Sequence, residues 1–360
     1  MSNESILMSL ILEQTSPEDY VSRFLVDEPL GYTRKFDSGS MFGDFSSTGS
    51  IDTDSFASVR DGDPVFRTYN NFTINAGHTV TTTNRCKGLY LNILGDLVVS
   101  GTLSMTARGA NAEGQYVIID RNYKKIYFAD MLDSSFDYSQ CTSIDKLGGV
   151  AAGFIDLSRP TPNNNNACGV GGSAGRQISG SNWVYTFGGN GTSFSGGSGA
   201  GGSVDSSSYG ATYTLGTKGS ANGGPGGNGG YAGGYAAAKG GGGGAGNPGG
   251  ICQDPTRPGS TGTGGLMILF VQGNIILGET GSIQANGTDG GAGRSDGGYI
   301  SYPGAGSGGG AIHIFHNGLI NDPSKIVAIG GNYGGGVNTD HGLFRAAQPG
   351  GNGTVNIVQL

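Results

Sequence analysis

Of the 360 residues in this chain, 74 are glycine, about three times the ordinary share of ~7%. Glycine has no Cβ and loses more backbone freedom on folding than any other residue. A chain that uses it so heavily has two outcomes open. Either long stretches stay disordered, or backbones pack where side chains would not fit. Charged residues make up only 13% of the chain, and it carries 16 Tyr and 15 Phe. Disordered chains have few aromatics and high net charge, so disorder throughout is disfavoured. No strict Gly-X-Y period exists, which excludes collagen.

The glycines divide into two patterns. In the first they end short apolar segments. Gly88 to Gly95, Asp96 to Gly101 and Thr102 to Gly109 read as three strands in a row, each rich in β-branched or large apolar residues and closed by Gly. The segment Phe72 to Gly77 alternates just before them. The same template returns at Gly265 to Gly273, Asn274 to Leu277 and Gly281 to Gly287. A looser copy runs through Gly310 to Phe315, Gly318 to Ile320 and Lys325 to Gly331, and Gly353 to Leu360 closes the chain. Gly95, Gly101, Gly273 and Gly281 stand at the corners. Repeated short strands with corners predict stacked coils, a short-strand β-solenoid. A β-sandwich of hairpins is the alternative at this spacing. The long connections fall after the third strand of each copy.

In the second pattern glycines run together. Residues 166–260 include Gly223 to Gly230, broken only by Pro225 and Asn228, and the unbroken run Gly240 to Gly244. A flexible linker is one reading. The other is a packed bundle of polyglycine-II-like segments. Such helices have three residues per turn and no internal hydrogen bonds, so their peptide groups must bond to neighbouring segments. Tyr231 and Tyr235 interrupt the runs, which favours packing.

These patterns divide the chain into five zones: 1–65, 66–110, 111–165, 166–260 and 261–360. Zone 1–65 opens a short helix at Ser16, with Pro17 in its first turn and Glu18 and Asp19 following. Ser, Gly and Asp dominate residues 37–63, so the zone reads as a docking segment for a partner or sister chains. Zone 111–165 carries a predicted hairpin, Tyr116 to Asp120 turning into Lys125 to Ala129.

The formal charge of −7 argues against nucleic acid, since phosphate binding needs a basic surface. No apolar run reaches the ~18 residues of a membrane span. Residues 6–12 are apolar but lack the basic flank and cleavage site of a secretory signal, as expected of a protein made in the cytoplasm. Cys86, Cys141, Cys168 and Cys252 are irregularly spaced without a Cys-x-x-Cys, so free thiols are expected and zinc is not.

The stretches Asn71 to Val80 and Cys86 to Ala110 resemble glycine-rich tail fibre and receptor-binding adhesin proteins of bacteriophages and phage-tail-like bacteriocins. The later Gly-Gly blocks are similar to the polyglycine regions of phage tail-tip adhesins. The resemblance covers residues 66–110 and 166–360. It implies a virion protein, commonly a homotrimer, that binds a bacterial surface glycan or protein and joins other tail proteins. It carries over no set of functional residues.

Catalytic and metal-binding chemistry finds little support in the residues. His78, His313, His316 and His341 have no Cys or carboxylate cluster beside them, and His313 and His316 are expected on opposite faces of a strand, at the surface or partly buried. A polysaccharide depolymerase would need two facing acids, drawn from Asp96, Asp120, Asp130, Asp133, Asp137, Asp156, Glu279 and Asp289. Acids are scarce in the repeat strands, so no enzyme activity and no cofactor is expected. Asn190, Asn286 and Asn352 begin Asn-Gly-Thr triplets, which read as turns rather than glycosylation sites. The best binding candidates are aromatics on glycine-rich loops: Trp183, Tyr185, Tyr299, Tyr302 and Tyr333. Aromatic rings with a polar handle suit sugar or protein surfaces. The same rings could instead plug gaps between glycine segments.

Overall fold

The computed structural model describes residues 42–49, 59–113, 168–179, 182–205, 215–220, 222–230, 241–296, 299–336 and 347–360, with strand backbones at 33–34, 51–52, 115–120, 125–130, 144–147 and 344–345. The expected helix from Ser16 lies outside them. Among the described residues the chain is mainly β, with one short 3-10 turn at Pro323–Lys325, and no helix is long and apolar enough to cross a membrane.

Each pass of the chain lays down up to three short strands. Val65–Tyr69, Phe72–Ile74 and Thr79–Thr81 form one pass; Leu89–Ile93, Leu97–Val99 and Thr102–Ser104 form the next. Leu266–Val271, Ile275–Leu277 and Ser282–Gln284 form the third. The fourth has Ala311–His316, a single bridge from Ile320 to Ile275, and Ile326–Val327; Thr354–Gln359 follows. Strands at the same place in successive passes pair in parallel, which gives three parallel sheets. In the first sheet Val65, Leu89, Met267, Ile312 and Val355 share one register row. Leu89–Ile93 and Leu266–Val271 are therefore immediate neighbours, although all of residues 105–265 lie between them.

Parallel pairing settles the hairpin alternative for these strands. A two-residue turn can join only antiparallel neighbours, whereas here each short turn carries the chain to a different sheet. The strand Val65–Tyr69 also straddles the zone boundary drawn at residue 65, so a full pass precedes the first one recognised in the sequence.

Side-chain alternation decides what the sheets bury. Leu89, Leu91 and Ile93, with Met267, Leu269, Val271, Ile312 and Ile314, point to a shared core. Phe72, Ile74, Leu97, Val99, Ile275 and Leu277 reach it from the second sheet, and Val80, Leu103, Ile283 and Ile326 from the third. The first sheet has a second apolar face, built from Phe66, Tyr90, Leu266, Ile268, Phe270 and Phe315. Rings stack along it from pass to pass, Phe66 on Tyr90 at 4.6 Å and Phe270 on Phe315 at 5.0 Å between centroids. Phe194 and Cys168 cover this face. A sheet buried on both sides reads as a continuous apolar run, which is why Leu266–Val271 is Leu-Met-Ile-Leu-Phe-Val. His313 is on this covered face and His316 on the other; both are buried, more deeply than their polarity suggests.

The corner between the first and second sheets is held by a ladder of Asx side chains. Asp44 Oδ1 accepts the Asn71 N–H at 3.1 Å, and Asn71 Oδ1 accepts the Asp96 N–H at 3.0 Å. Asp96 Oδ1 takes the Asn274 N–H at 2.7 Å, and Asn274 Oδ1 takes the Leu319 N–H at 3.0 Å. Asn and Asp favour turns because their side chains can replace a backbone partner. Here each one satisfies the pass above it.

The long excursions all leave after a third strand. Residues 105–265, 285–310 and 328–353 connect those third strands back to the first sheet. Their glycine segments bond to one another with a period of three. Gly287, Gly290 and Gly293 donate N–H to Ile329, Asn332 and Gly335. Gly197 and Ala200 donate to Gly169 and Gly172, while Gly199 and Gly202 donate to Ala245 and Gly242. One segment thus serves different neighbours with successive residues, as a threefold extended helix must. A Cβ on Gly308 would land on the carbonyl of Gly169, and one on Gly304 on that of Gly243. These positions admit only glycine because a neighbouring backbone occupies the side-chain volume.

Candidate functional site

The glycine segments connect two different ends. At one end Gly264 donates to Gly308, Gly196 to Gly264 and Gly310 to Ala285, beside the first sheet. At the other, Tyr302 donates to Ser203 and Gly242 donates to Tyr302, where the segments pass into two small antiparallel sheets. One pairs Ala174–Ser179 with Asn182–Thr186 and with Phe344–Arg345; the other pairs Arg294–Asp296 with Tyr299–Ser301, and Val204–Asp205 with the same central strand. At ~3.1 Å per residue, the eight residues 303–310 span about 25 Å. The order is a core of parallel sheets, a glycine layer, and an outer tip of antiparallel strands and loops. A third small sheet lies within residues 33–147, where Gln115–Asp120 pairs antiparallel with Lys125–Asp130, the hairpin expected there.

The five aromatic candidates fall at or near this tip. Trp183 sits opposite Gln177 and Tyr185 opposite Gly175 in the strand register, and Tyr299 opposite Asp296. Their side chains lie outside the described set. Tyr302 is 1% exposed. It presents no surface, and the expectation that it contacts a receptor is corrected: it follows Tyr299–Ser301 directly into the glycine layer, where its backbone bonds to Ser203 and Gly242. Tyr333 is 41% exposed. It stands on the outer glycine segment 329–335, between Asn332, whose N–H bonds to Asp289 Oδ1 at 2.7 Å, and Gly334, whose N–H bonds to Gly304 at 3.0 Å. Its backbone is therefore held on both sides while its ring faces outward.

A charged brace that the sequence did not single out fixes the second tip sheet. Arg257 is buried; its Nε donates to Asp254 Oδ2 at 3.0 Å and its Nη1 to Ser301 Oγ at 2.8 Å. Ser301 Oγ in turn accepts the Arg294 N–H at 3.0 Å. Thr256 donates to Asp254 from both its hydroxyl and its N–H, which with Arg257 holds the Asp254 carboxyl down at about 2. The only sequence cue was a lone Asp-Pro-Thr-Arg amid glycines. A second ion pair, Arg85 with Asp61 at 2.5 Å, lies back at the parallel sheets. Burial raises the Asp61 pKa, but Arg85, the Asn111 N–H and the charge of Arg60 together outweigh it and lower the value.

The described residues hold no group of three or more His, Cys, Asp or Glu able to share a metal ion. Cys86, Cys168 and Cys252 are free thiols. Burial pushes the Cys86 thiol up to about 11 and also raises Cys168 and Cys252, which leaves all three protonated and weakly nucleophilic at neutral pH. Cys141, His341, Asp133, Asp137 and Asp156 lie outside the described residues. Asn286 and Asn352 lie in extended, irregular segments and close no turn, which corrects that expectation; their Oδ1 atoms accept the N–H groups of Ile329 and Gly330 on neighbouring segments.

What the arrangement does is set the two small antiparallel sheets apart from the parallel-sheet core by a hydrogen-bonded glycine layer. No protein-family model, curated protein or solved structure matches the chain.

Proposed function

We propose that this chain is a non-enzymatic virion structural protein, a tail fibre or adhesin subunit that binds the surface of a bacterial host. In this reading the three parallel sheets are a triangular β-solenoid and the glycine layer is a polyglycine-II-like bundle. Residues 1–65 join other tail proteins, a homotrimer is the expected assembly, and the small antiparallel sheets meet a surface glycan or protein. The observation that carries the reading is the layering itself. Three separate excursions leave one corner of successive passes, cross the same glycine layer and open at the same end. Binding residues are commonly found on loops held by a rigid scaffold, and this is a scaffold for loops. A purely structural virion role would leave the tip without a ligand.

The test is binding of labelled, purified chain to candidate host cells, with Tyr333→Ala alongside. Saturable binding that Tyr333→Ala weakens without changing the melting temperature is the expected result. Absence of binding to any cell susceptible to the particle, or release of reducing sugar from host polysaccharide, would overturn it.

A further inference from the structure

Six Asn-Gly pairs punctuate the chain, beginning at Asn190, Asn222, Asn228, Asn286, Asn317 and Asn352. All six share one reactivity. The glycine N–H has no Cβ beside it to shield it, so its nitrogen can attack the Asn carboxamide that precedes it. The fold treats the six differently. Gly229, Gly287, Gly318 and Gly353 donate their N–H groups to Ile251, Ile329, Gly273 and Ala328 respectively, at 2.7–3.1 Å. Asn228, Asn286 and Asn352 are held a second time, because their Oδ1 atoms accept the N–H groups of Ile251, Ile329 and Gly330. In these four pairs the attacking nitrogen is bonded to a neighbouring segment, and reaction must wait for local opening.

The N–H groups of Gly191 and Gly223 have no backbone partner among the described residues. Their surroundings differ. Asn190 lies in a segment held on both sides, with the Gly189 N–H bonded to Ser198 at 2.7 Å and the Thr192 N–H to Ser195 at 2.8 Å. Asn222 and Gly223 instead form a turn, with φ of 59° and 65°, the φ pattern of a type I′ turn. The hydrogen bond of such a turn joins its first and fourth residues, so the N–H of the third, here Gly223, is left over. The pair is tied down through its carbonyls alone: Asn222 accepts the Ala112 N–H at 3.2 Å, and Gly223 accepts Asn247 Nδ2 at 2.8 Å. Asn222 is also partly exposed, which admits water and base.

We propose that Asn222 is a site of spontaneous deamidation built into the fold. Solvent base takes the Gly223 N–H proton, and the nitrogen bonds to Asn222 Cγ to close a succinimide ring. The Cγ–Nδ2 bond breaks, and the amide leaves as ammonia with a proton returned by solvent. Water then opens the ring. Cleavage of the N–Cγ bond leaves aspartate at position 222; cleavage of the bond to the main-chain carbonyl carbon leaves isoaspartate, with the backbone rerouted through Cγ. No group is oxidised or reduced. Both products add a negative charge, and isoaspartate also lengthens the backbone by a methylene. The place of the turn gives this a consequence. Asn247, which holds Gly223, also donates to the Gly109 carbonyl and Thr263 Oγ1, and the Gly109 N–H bonds to Thr263 at 2.9 Å. The turn is thus tied to both ends of the 105–265 connection, and its modification loosens their junction.

Ageing of the full chain in mildly alkaline buffer, followed by peptide mapping for isoaspartate and by ammonia release, tests the proposal. In the native chain isoaspartate is expected first at Asn222, about tenfold or more faster than at Asn228, Asn286, Asn317 and Asn352, whose nitrogens react only on local opening. In denaturant the six pairs are expected to react at comparable rates, since the protection belongs to the fold. Asn222→Gly keeps a residue that tolerates positive φ and removes the carboxamide. It is expected to abolish the early ammonia release and the fall in melting temperature that accompanies it in the wild type. Three results would each overturn the proposal: isoaspartate appearing first at another pair of the native chain, the same preference for Asn222 in denaturant, or an Asn222→Gly chain that ages as the wild type does.

Discussion

The parallel-sheet core and the glycine layer solve one problem by opposite means. Both must give every buried peptide group a partner. In the core, strands pair on two sides only, and the other two directions are filled by side chains such as Leu91, Leu269 and Phe270. In the glycine layer, successive residues of a segment bond in different directions, so backbones lie all around it. Gly197, Gly199 and Gly201 bond to three different segments, at Gly169, Ala245 and Thr217. Side chains are what holds the first region together and what the second has no room for. The comparison predicts that removing atoms should harm one and adding atoms should harm the other.

Removing atoms from the core should have the largest effect. Leu269 is fully buried in the central strand of the first sheet, among Leu91 and Ile314 on neighbouring strands. Leu269→Ala is expected to cost about 2–5 kcal/mol, measured by denaturant unfolding. Adding one methyl to the glycine layer comes next. Gly308→Ala places a Cβ against the Gly169 carbonyl, which is backbone and cannot rotate away; overpacking of this kind costs about 1–3 kcal/mol. Gly335→Ala is the internal comparison, because nothing lies within 4 Å of its Cβ. Where the fold permits Ala, the substitution stabilises by about 0.4–1 kcal/mol through the unfolded chain. If Gly308→Ala were neutral or stabilising like Gly335→Ala, the layer would not be packed and the contrast would collapse.

The core was the more legible region. Leu97–Val99, Thr102–Ser104 and their later counterparts were visible because each apolar run ends at a glycine, and burial in the core demands those runs. Val65–Tyr69 was missed because Arg67 interrupts it; that arginine faces the end of the core, where Phe42 receives it. The parallel pairing of strands separated by residues 105–265 was not readable at all, since no local pattern states which distant strand is the neighbour. In the glycine layer the need for backbone contact followed from composition, but not the partners. A glycine carries no side chain to encode register. Tyr302 and Tyr333 illustrate the same limit at the candidate site. Both are tyrosines near glycines, and only their place in the fold makes one buried and the other exposed. Arg257 escaped notice because its partners, Asp254 and Ser301, meet it only when residues 254–257 and 299–301 are brought together.

The corner ladder offers a smaller test of the core. Asp96 Oδ1 holds the Asn274 N–H at the corner between the first and second sheets, joining the two passes that residues 105–265 separate in sequence. Asp96→Ala is expected to cost about 1 kcal/mol, the usual net value of such a bond, and Asp96→Asn to recover most of it. Thermal unfolding of the three proteins would check the order. A loss in Asp96→Asn equal to that in Asp96→Ala would show that charge, not the ladder, matters at this corner.

The smallest expected effect is at the glycine layer's outer margin, and it is a pH dependence. Asp254 titrates at about 2 in the folded chain against 3.8 for an ordinary aspartate, chiefly because the Thr256 hydroxyl and N–H bond to its ionised form, with Arg257 adding to them. A carboxyl whose folded pKa is depressed contributes stability that is fully present above its unfolded value and is lost as the pH falls through the folded one. The window is therefore about pH 4 down to about pH 2. Asp254 is in contact with solvent, so screening keeps the contribution small. Melting temperatures of the wild type should fall more steeply across that window than those of Asp254→Asn. Because the brace joins Arg257 to Ser301, amide exchange in 294–301 should quicken in the wild type over the same window and already be fast in Asp254→Asn at neutral pH. Equal slopes for wild type and Asp254→Asn would mean that the brace does not hold the tip, and that the glycine layer alone sets its position.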